Sequence, residues 1–354
     1  MDFVTLNPEE FRKFAASSPC KSFMQTPEIA RMREQNGWTV YYFGVKNQGK
    51  LVAATMAVAK PTFLGKSTYY TPGGPLVDYE NTPLLTFFIK NLKNYMRSHN
   101  GYVLQIDPYY ELIERDRHGK FVEGGFDRQK ALKNLQNLGF RLIPHSSQPK
   151  YLFVMDINGR TADDILMDFK RNTRNHVRKS ERAGVKVREL KKDELDKFKQ
   201  ITAATSERRH FTDRPLSYYE QMYDLFHDRG EVQFIIAEAK IDGKMTPLSA
   251  AMFMTYGDEI IYLFSGSDEK YMKEYNAQYA IQWYMIKYAA DHGYQKYNFY
   301  GIQGLPDPNA KDYGIYEFKK GFGGHVVELI GSFELPLHPL YYFHRIISKI
   351  KHML

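Results

Sequence analysis

TVYYFGVKNQGKLVAATMAVAK, at residues 39–60, runs from an apolar strand through a polar turn at Asn47–Lys50 into a second apolar strand. EVQFIIAEAKIDGKMTPLSAAMFM, at residues 231–254, has the same order, and its turn falls at Asp242–Lys244. Each stretch therefore predicts a β-hairpin. Because the same pattern recurs after about 190 residues, the sequence predicts two copies of one structural unit.

The segments that follow the two hairpins also correspond. An aromatic strand comes next in each copy, STYYTPGGPL at 67–76 and EIIYLFSGSD at 259–268. A helix is predicted after each strand, from about Pro83 to Ser98 and from about Asn276 to Asp291. The matching order supports a duplication.

A Gly-Tyr pair begins the next strand of each copy, at Gly101-Tyr102 and at Gly293-Tyr294, and a last helix and strand follow in ALKNLQNLGFRLI and in YEFKKGFGGHVVEL. Hairpin, strand, helix, strand, helix, strand is the order of the acetyltransferase (GNAT) fold. This is a mixed α/β fold whose sheet is splayed near its middle, with the acyl donor's path at the opening. The sequence therefore predicts two GNAT-like domains in tandem, one at 1–145 plus 329–354 and the other at 146–328.

Neither copy has the Gly-rich Q/R-x-x-G-x-G/A loop that holds the coenzyme A pyrophosphate on backbone N–H groups in GNAT enzymes. The two nearest segments, GIQGLPDP and FSGSDEKYMKEYNAQ, lack its spacing. We therefore expect an activated acyl donor other than coenzyme A, and no cofactor.

The composition limits the class of protein. At 354 residues and 43% hydrophobic, the chain is long enough for two domains with their own cores. No run reaches the roughly 18 apolar residues of a membrane span, and the first residues are acidic where a signal peptide would be basic and then apolar, so we expect a cytoplasmic protein. The single cysteine, Cys20, excludes an internal disulfide, and the scattered histidines lack metal-binding spacing, so no metal site is expected.

The positive charge is concentrated in one segment. Lys170–Lys192 holds ten Lys or Arg against Glu181 and Glu189, an excess equal to the formal net charge of +8. Four of its arginines are spaced as one stripe of a helix, namely Arg171, Arg174, Arg178 and Arg182. Such a stripe suits a phosphate backbone or another anionic surface. It also fits a helix face that is merely solvated.

Several segments, spread over nearly the whole chain, resemble the Fem family of transferases that build the interpeptide bridges of peptidoglycan. They are MQTPEIARMREQNGW, YYTPGGPL, LQIDPYY, KRNTRNHVRKSERAGV, RRHFTDRPLSYY, IIYLFSGS, and YNFYGIQG leading to GIYEFKKGFGG. Larger members insert a helical arm in the second domain, and no heptad pattern fits between residues 190 and 240, so the chain is similar to the short form.

The resemblance implies a reaction and its substrates. A small amino acid, glycine, alanine or serine, would pass from aminoacyl-tRNA to the lysine side-chain amine of a precursor stem peptide, which is either UDP-linked or lipid-linked. The first domain would bind this acceptor and the second the aminoacyl-tRNA. Such aminolysis of an activated ester needs a base, positioning and oxyanion stabilisation, and no Ser or Cys nucleophile.

The resemblance also implies catalytic residues. It assigns oxyanion stabilisation to Lys319, with Lys320 as a less favoured neighbour, and stacking of the terminal adenine of tRNA to Phe318. The alternative is that Phe318 belongs to the core and Lys319 is a surface cation. Asp107, which ends the strand LQID before Pro108, is expected either to orient or deprotonate the amine or to form the following turn.

The acceptor carries a pyrophosphate, so cations should line its site. Arg214 matches the family's diphosphate-binding arginine, and Tyr218 follows four residues later. Arg33 takes the place where short members carry a lysine. Tyr262 is expected to line the acceptor groove, with plain sheet packing as the alternative.

The C-terminal tail SFELPLHPLYYFHRIISKIKHML predicts an amphipathic basic helix. It would pack on the first domain or make peripheral membrane contact, which would suit a lipid-linked acceptor at the inner face of the membrane. Two other functions remain open from the sequence. They are tRNA-dependent transfer to a protein N-terminus or lipid headgroup, and RNA binding without catalysis through the basic stripe.

Overall fold

The computed structural model of the chain describes residues 1–144, 146, 148–210 and 212–342. These residues form two compact units. The first consists of Met1–Glu114, Phe121–Lys150 and the described residues from Val327 onward, and the second of Arg115–Lys120 and Tyr151–Val326. The roles that the sequence assigns to two domains stay predictions.

Strands and helices are present in both units. The strands are β1 (Asp2–Thr5), β2 (Thr39–Asn47), β3 (Lys50–Phe63), β4 (Lys66–Thr71), β5 (Gly101–Ile106), β6 (Glu111–Glu114), β7 (Arg141–Leu142), β8 (Tyr151–Asp156), β9 (Lys186–Glu189), β10 (Val232–Ile241), β11 (Lys244–Tyr256), β12 (Glu259–Ser267), β13 (Lys296–Ile302), β14 (His325–Leu329) and β15 (Phe333–Pro336). The helices are α1 (Pro8–Ser17), α2 (Pro27–Gln35), α3 (Thr82–Ser98), α4 (Gln129–Asn137), α5 (Ala162–Asp168), α6 (Arg171–Arg182), α7 (Leu195–Arg209), α8 (Leu216–Phe226), α9 (Glu269–Tyr275), α10 (Ala277–Asp291) and α11 (Tyr313–Lys320). The mixed α/β class and the repeated order of hairpin, strand, helix and strand are confirmed.

The sheet of the first unit has the order β1-β2-β3-β4-β5-β15-β7. Strands β4 and β5 are parallel and stay paired to their last residues, Thr71 and Ile106. Helix α3 covers this sheet because its apolar residues recur on one face, and Leu85, Phe88 and Leu92 belong to the apolar core of the unit. The ends of β4 and β5 therefore lie side by side on a rigid base.

A buried amide fixes the turn that follows β4. The side chain of Gln25 is fully buried, donates to the carbonyls of Met56 at 3.0 Å and Pro72 at 2.7 Å, and accepts from Met56 N at 2.8 Å. A Cβ atom on Gly74 would lie 2.7 Å from the Gln25 amide carbon. The segments MQTPEIAR and TPGGPL thus pack against each other, and glycine is needed for their close approach.

The strands of the second unit have the order β8-β13-β12-β11-β10-β9. Strands β12 and β13 are parallel over only three pairs, which end at Ile261 and Asn298. Beyond that point β12 remains paired with β11, and β13 resumes its pairing with β8 at Gly301. The sheet of this unit is therefore split in its middle, as the GNAT pattern predicts.

A bulge in β13 lies at the split. Tyr300 has a left-handed backbone, with φ at 64°, and the register of β13 against β8 shifts between Asn298 and Gly301. The buried Asn298 holds the bulge, because its side-chain oxygen accepts from Tyr300 N at 2.7 Å and its amide donates to Glu259 at 2.9 Å. The local backbone is therefore fixed by a side chain that the sequence pattern does not single out.

The C-terminal tail differs from its prediction in its first part. Phe333–Pro336 forms strand β15, which lies antiparallel between β5 and β7, where a helix is predicted. Leu335 and Leu337 of the tail join the core of the first unit. Residues 340–342 are helical, as predicted, and the tail from residue 343 onward lies outside the described residues. Among the described helices, none is long and apolar enough to cross a membrane.

Gly324, between α11 and β14, gives a test of this architecture. Its φ is +96°, and a Cβ atom would lie 2.3 Å from the Val154 carbonyl oxygen, whereas Gly184 has a φ of +73° with nothing within 4 Å. We expect Gly324→Ala to lower the free energy of unfolding by about 2–5 kcal/mol, since strain and overlap both act. Gly184→Ala should cost about 1–2 kcal/mol from strain alone. Urea unfolding of both variants checks this, and equal losses would contradict the close approach at Gly324.

Candidate functional site

The first candidate group lies at the ends of β4 and β5. Asp107 directly follows β5 and is buried, with 8% of its surface exposed. Its carboxylate accepts a short hydrogen bond from the Tyr70 hydroxyl and one of 2.6 Å from Gly73 N. The left-handed Gly73 is required here, because a Cβ atom would lie 2.5 Å from the Ser22 hydroxyl oxygen. The loop YYTPGGPL therefore holds the carboxylate in one orientation.

Burial makes this carboxylate a group that can exchange a proton near neutral pH. Burial raises the pKa of Asp107 to about 7, against the opposing effects of the Tyr70 and Gly73 hydrogen bonds and the Arg33 charge. The pKa of Tyr70 is raised by burial and by the Asp107 charge, so its hydroxyl stays a donor. The contacts of Asp107 with Tyr70 and Gly73 hold the loop after β4, and whether the carboxylate also acts on the amine stays a prediction.

Arg33 is brought to the same group. It lies in α2, which begins after a cap by the Thr26 hydroxyl, and its guanidinium lies 5.6 Å from the centre of the Trp38 ring. Its charge acts on the pKa of both Tyr70 and Asp107, and its Nε atom is buried without a hydrogen-bond partner. An unpaired buried N–H donor next to a proton-exchanging carboxylate is available to an anionic ligand.

The second candidate group surrounds Lys319, near the C-terminal end of α11. The Lys319 side chain is buried, and its ammonium donates to the carbonyls of Gly301 at 2.6 Å and Tyr300 at 3.3 Å. Burial lowers the pKa of Lys319 to about 7. The amine is therefore held at the β13 bulge and gains or loses its charge near neutral pH, which excludes the reading of Lys319 as a surface cation.

The neighbouring Lys320 has a different environment. Its ammonium forms an ion pair with Glu317 at 2.9 Å and lies 4.9 Å from the centre of the Tyr316 ring. Although burial alone would lower its pKa, the hydrogen bonds to Glu317 and Tyr316 raise it. Lys320 is therefore a permanently charged structural cation, and Lys319 is the better candidate of the two.

Two aromatic residues named from the sequence belong to the second unit. Phe318 is half-buried and makes edge contacts with Tyr279 at 5.1 Å and Phe322 at 5.3 Å. It therefore joins an aromatic cluster and keeps part of its ring exposed. Tyr262 is the first residue of β12 after the segment that pairs with β13. The centre of its ring lies 5.4 Å from that of Phe253, and its hydroxyl donates to the Ser265 hydroxyl oxygen.

Arg214 is exposed on a loop that is held by hydrogen bonds to the neighbouring Asp213. Its guanidinium lies 5.4 Å from the centre of the Tyr218 ring. The preceding Asp213 accepts from Arg214 N at 2.9 Å, from Lys199 at 2.6 Å and from Tyr219 at 2.7 Å. Because α8 begins at Leu216, Arg214 lies in the loop before the helix and Tyr218 lies in its first turn.

The basic stripe is a helix, as predicted, but one of its four arginines does not belong to the exposed face. Arg174 donates to the carbonyls of Met167, at 2.9 Å, and Phe169. It therefore satisfies the backbone at the end of α5. Arg171, Arg178 and Arg182 are exposed.

The structure joins some of these residues and adds others. In the first unit it brings Asp107 and Arg33 together with Tyr70 and Gly73. In the second unit it brings Lys319 next to Tyr300. Tyr70 and Tyr300 are missing from the sequence predictions. Side chains alternate between the two faces of a strand, so in STYYT the burial of Tyr69 in the core places Tyr70 on the opposite face of the sheet. Among the described residues, no group of three or more His, Cys, Asp or Glu side chains could hold a metal ion.

Comparisons with known proteins agree with this description. The model of the FemAB family matches residues 6–245 and 238–349. Aminoacyltransferase FemB of Staphylococcus epidermidis is 29% identical over 422 aligned positions, which cover 99% of this chain and 100% of that protein. Because the alignment is longer than the 354 residues of this chain, FemB carries residues without a counterpart here.

Solved structures show the same fold. The crystal structure of FemX has a TM-score of 0.84 and 23% identity, covering 97% of this chain and 99% of that chain. A tandem GNAT protein from the clavulanic acid biosynthesis pathway has a TM-score of 0.56 and 12% identity, covering 96% of this chain and 99% of that chain. The tandem GNAT-like architecture is thus confirmed, and with a family match over nearly its whole length, this chain belongs to the FemAB family.

Proposed function

We propose that the chain is a tRNA-dependent aminoacyltransferase. It moves glycine, alanine or serine from aminoacyl-tRNA to the lysine side-chain amine of a peptidoglycan precursor stem peptide. The precursor is UDP-linked or lipid-linked, and in the second case the protein works at the inner face of the membrane. Membership of the FemAB family supports the reaction class. The observation that carries the proposal is the buried Lys319, which is aimed at the bulge of a split GNAT-like sheet.

The bond changes define what the protein must supply. The amine nitrogen attacks the ester carbonyl carbon, an amide bond forms, and the bond between that carbon and the tRNA ribose oxygen breaks. The amine loses a proton, and the ribose oxygen takes one. Between these events the carbonyl oxygen carries a negative charge. A base, an oxyanion donor and a binding surface for each substrate are sufficient, because the ester is already activated.

Lys319 is proposed as the oxyanion donor. Its ammonium already bonds to two carbonyl oxygens, so it has one remaining N–H for a substrate oxygen. Burial excludes competing water, which makes a charge-assisted hydrogen bond stronger than at the surface. The half-buried ring of Phe318 next to it in sequence is proposed to stack on the terminal adenine of tRNA.

Asp107 is proposed as the group that receives the amine proton. With its pKa raised to about 7, it is a stronger base than an ordinary carboxylate. Tyr70 and Gly73 hold it in place, so they are positioning groups. Arg33, Arg214 and Tyr218 are proposed to contact the acceptor's pyrophosphate and sugar, since guanidinium groups bind phosphate oxygens in pairs. Tyr262 is proposed to line the acceptor groove.

Removal of the Lys319 ammonium tests the proposal directly. We expect Lys319→Ala to reduce kcat for transfer of labelled glycine, alanine or serine from charged tRNA by at least about a hundredfold, as for a lost oxyanion donor. The UDP-linked and the lipid-linked precursor serve as parallel acceptors. Lys319→Gln, which keeps donors for the Gly301 and Tyr300 carbonyls, separates loss of charge from loss of folding.

Lys320→Ala is the matched control for this experiment, because it removes a cation from the adjacent position. Its kcat should change only a few-fold. Equal losses in both variants would assign the effect to α11 as a whole and contradict the role of Lys319. Transfer by the wild type to a protein N-terminus or a lipid headgroup, and not to either precursor, would replace the proposed acceptor.

The two buried groups predict how activity depends on pH. Below pH 7 Asp107 is protonated and cannot accept the amine proton, and above pH 7 Lys319 loses the charge that stabilises the oxyanion. We therefore expect kcat/KM to pass through a maximum near pH 7. The acceptor amine titrates near 10.4, so its neutral fraction rises about tenfold per pH unit through this window, and the maximum is expected after kcat/KM is divided by that fraction. Lys319→Arg should remove the alkaline limb of the profile at reduced activity, since arginine stays charged. An unchanged alkaline limb would contradict the assignment.

Arg214 gives a test of acceptor recognition. We expect Arg214→Gln to weaken binding of the UDP-linked precursor by about tenfold to a hundredfold, the effect of losing one charged hydrogen-bonding group. Calorimetric titration measures the Kd. Lys240→Gln, at another exposed cation of the second unit, should leave the Kd unchanged. Equal Kd values for Arg214→Gln and the wild type would remove Arg214 from the diphosphate site.

A further inference from the structure

The basic helix α6 is fixed to the helix that carries Phe318 and Lys319. Lys170, just before α6, donates its backbone N–H to Gly321 O at 2.8 Å, and its ammonium pairs with Glu317 at 3.0 Å. A Cβ atom on Gly321 would lie 2.4 Å from the Thr173 hydroxyl oxygen, so the first turn of α6 touches the end of α11. The position of α6 therefore follows that of α11.

Ring contacts extend this connection along α6. The His176 ring lies 4.6 Å from the Tyr279 ring, and Tyr279 in turn lies 5.1 Å from Phe318. One rigid layer of side chains thus runs from the second turn of α6 to the ring proposed to stack on adenine. A ligand that stacks on Phe318 has α6 beside it.

The outward face of α6 carries cations without acidic partners. Thr173, Val177 and Ser180 are buried and face the unit, while Arg171, Arg178 and Arg182 are exposed. Within the part of the chain that the structure describes, these three guanidinium groups form no ion pair. Such neighbouring cations repel one another, and a row of them is explained by a partner that supplies negative charge.

The spacing of the three arginines matches a chain of phosphates. Along a helix with a rise of about 1.5 Å per residue, Arg171 and Arg178 lie about 10 Å apart and Arg178 and Arg182 about 6 Å apart. A nucleic-acid strand carries one phosphate per about 3.4 Å of its axis. The row therefore spans about five phosphates of one strand.

We propose that Arg171, Arg178 and Arg182 form the surface of this protein that binds the RNA phosphate backbone next to the acceptor end. This inference rests on the proposed function, and it assigns part of the aminoacyl-tRNA contact to α6. A membrane surface is a poorer partner, because the exposed side of α6 has no large apolar side chain that could enter a bilayer, and its one valine, Val177, is buried.

The test is the salt dependence of RNA binding. The probe is an RNA hairpin with a single-stranded 3′ end that terminates in adenosine. It carries no amino acid, so it binds without reacting. Each lost phosphate contact lowers the slope of log Kd against log salt concentration by about 0.7–0.9. In the triple variant R171Q/R178Q/R182Q, which loses three contacts, the slope should therefore fall by about 2–3. At about 0.1 M salt the Kd should rise at least tenfold. The KM for charged tRNA should rise by a similar factor.

The triple variant K90Q/K130Q/K133Q is the matched control. It removes the same charge from exposed positions on α3 and α4 of the first unit, and it should keep both the slope and the transfer activity of the wild type. An equal fall in slope in both variants would reduce the effect to net charge and overturn the inference. Thermal unfolding of each variant checks that these exposed substitutions leave the fold intact.

The outcomes separate the inference from the proposed function. If the wild type transfers amino acids from tRNA and the α6 variant binds the hairpin with unchanged slope, the surface lies elsewhere and only the inference fails. If the wild type neither transfers nor binds the hairpin, the proposed function fails with it. Loss of binding to anionic phosphatidylglycerol vesicles without loss of RNA binding would make α6 a membrane contact and overturn the inference.

Discussion

The hydrogen bonds from the Lys319 ammonium to the Gly301 and Tyr300 carbonyls join helix α11 to the split in the sheet of the second unit. Strands β12 and β13 separate after three pairs, and the bulge at Tyr300 takes backbone groups of β13 out of the ladder. The half-buried residues Tyr300 and Gly301 at this point accept hydrogen bonds from another element. The donor is the Lys319 ammonium of α11, and burial of this side chain brings its pKa close to neutrality.

The two units use one sheet pattern in different ways. In the first unit β4 and β5 remain paired to their ends, and the polar group, Asp107, lies just beyond the paired strands. In the second unit the equivalent strands part early, and the polar group enters from helix α11. Burial acts in opposite directions on the two groups, since it raises the pKa of a carboxyl and lowers that of an amine. A pattern of strands and helices alone does not separate these cases.

Cations that are alike in the sequence have different roles once their neighbours are known. Lys319 and Lys320 are adjacent, yet among the described residues only Lys320 has a carboxylate partner, Glu317. Arg174 belongs to the same predicted stripe as Arg178, yet it binds the carbonyls at the end of α5. In each pair the neighbours differ: Lys320 and Arg174 are held by Glu317 and by carbonyls near α5, whereas Lys319 donates to carbonyls of β13 and Arg178 is exposed.

The sequence by itself determined the mixed α/β class, the duplicated hairpins and the helices α3 and α10, because hydrophobic periodicity and turn residues are local signals. It also named Lys319, Asp107, Arg33 and Arg214 through a family resemblance. Only the tertiary structure decided what surrounds them. The Tyr70 hydroxyl on Asp107, the Tyr300 bulge, the carbonyl contacts of Arg174 and the strand β15 between β5 and β7 all join residues through contacts that no local pattern encodes. Burial and pKa are properties of those contacts, and they appear only when the chain is folded.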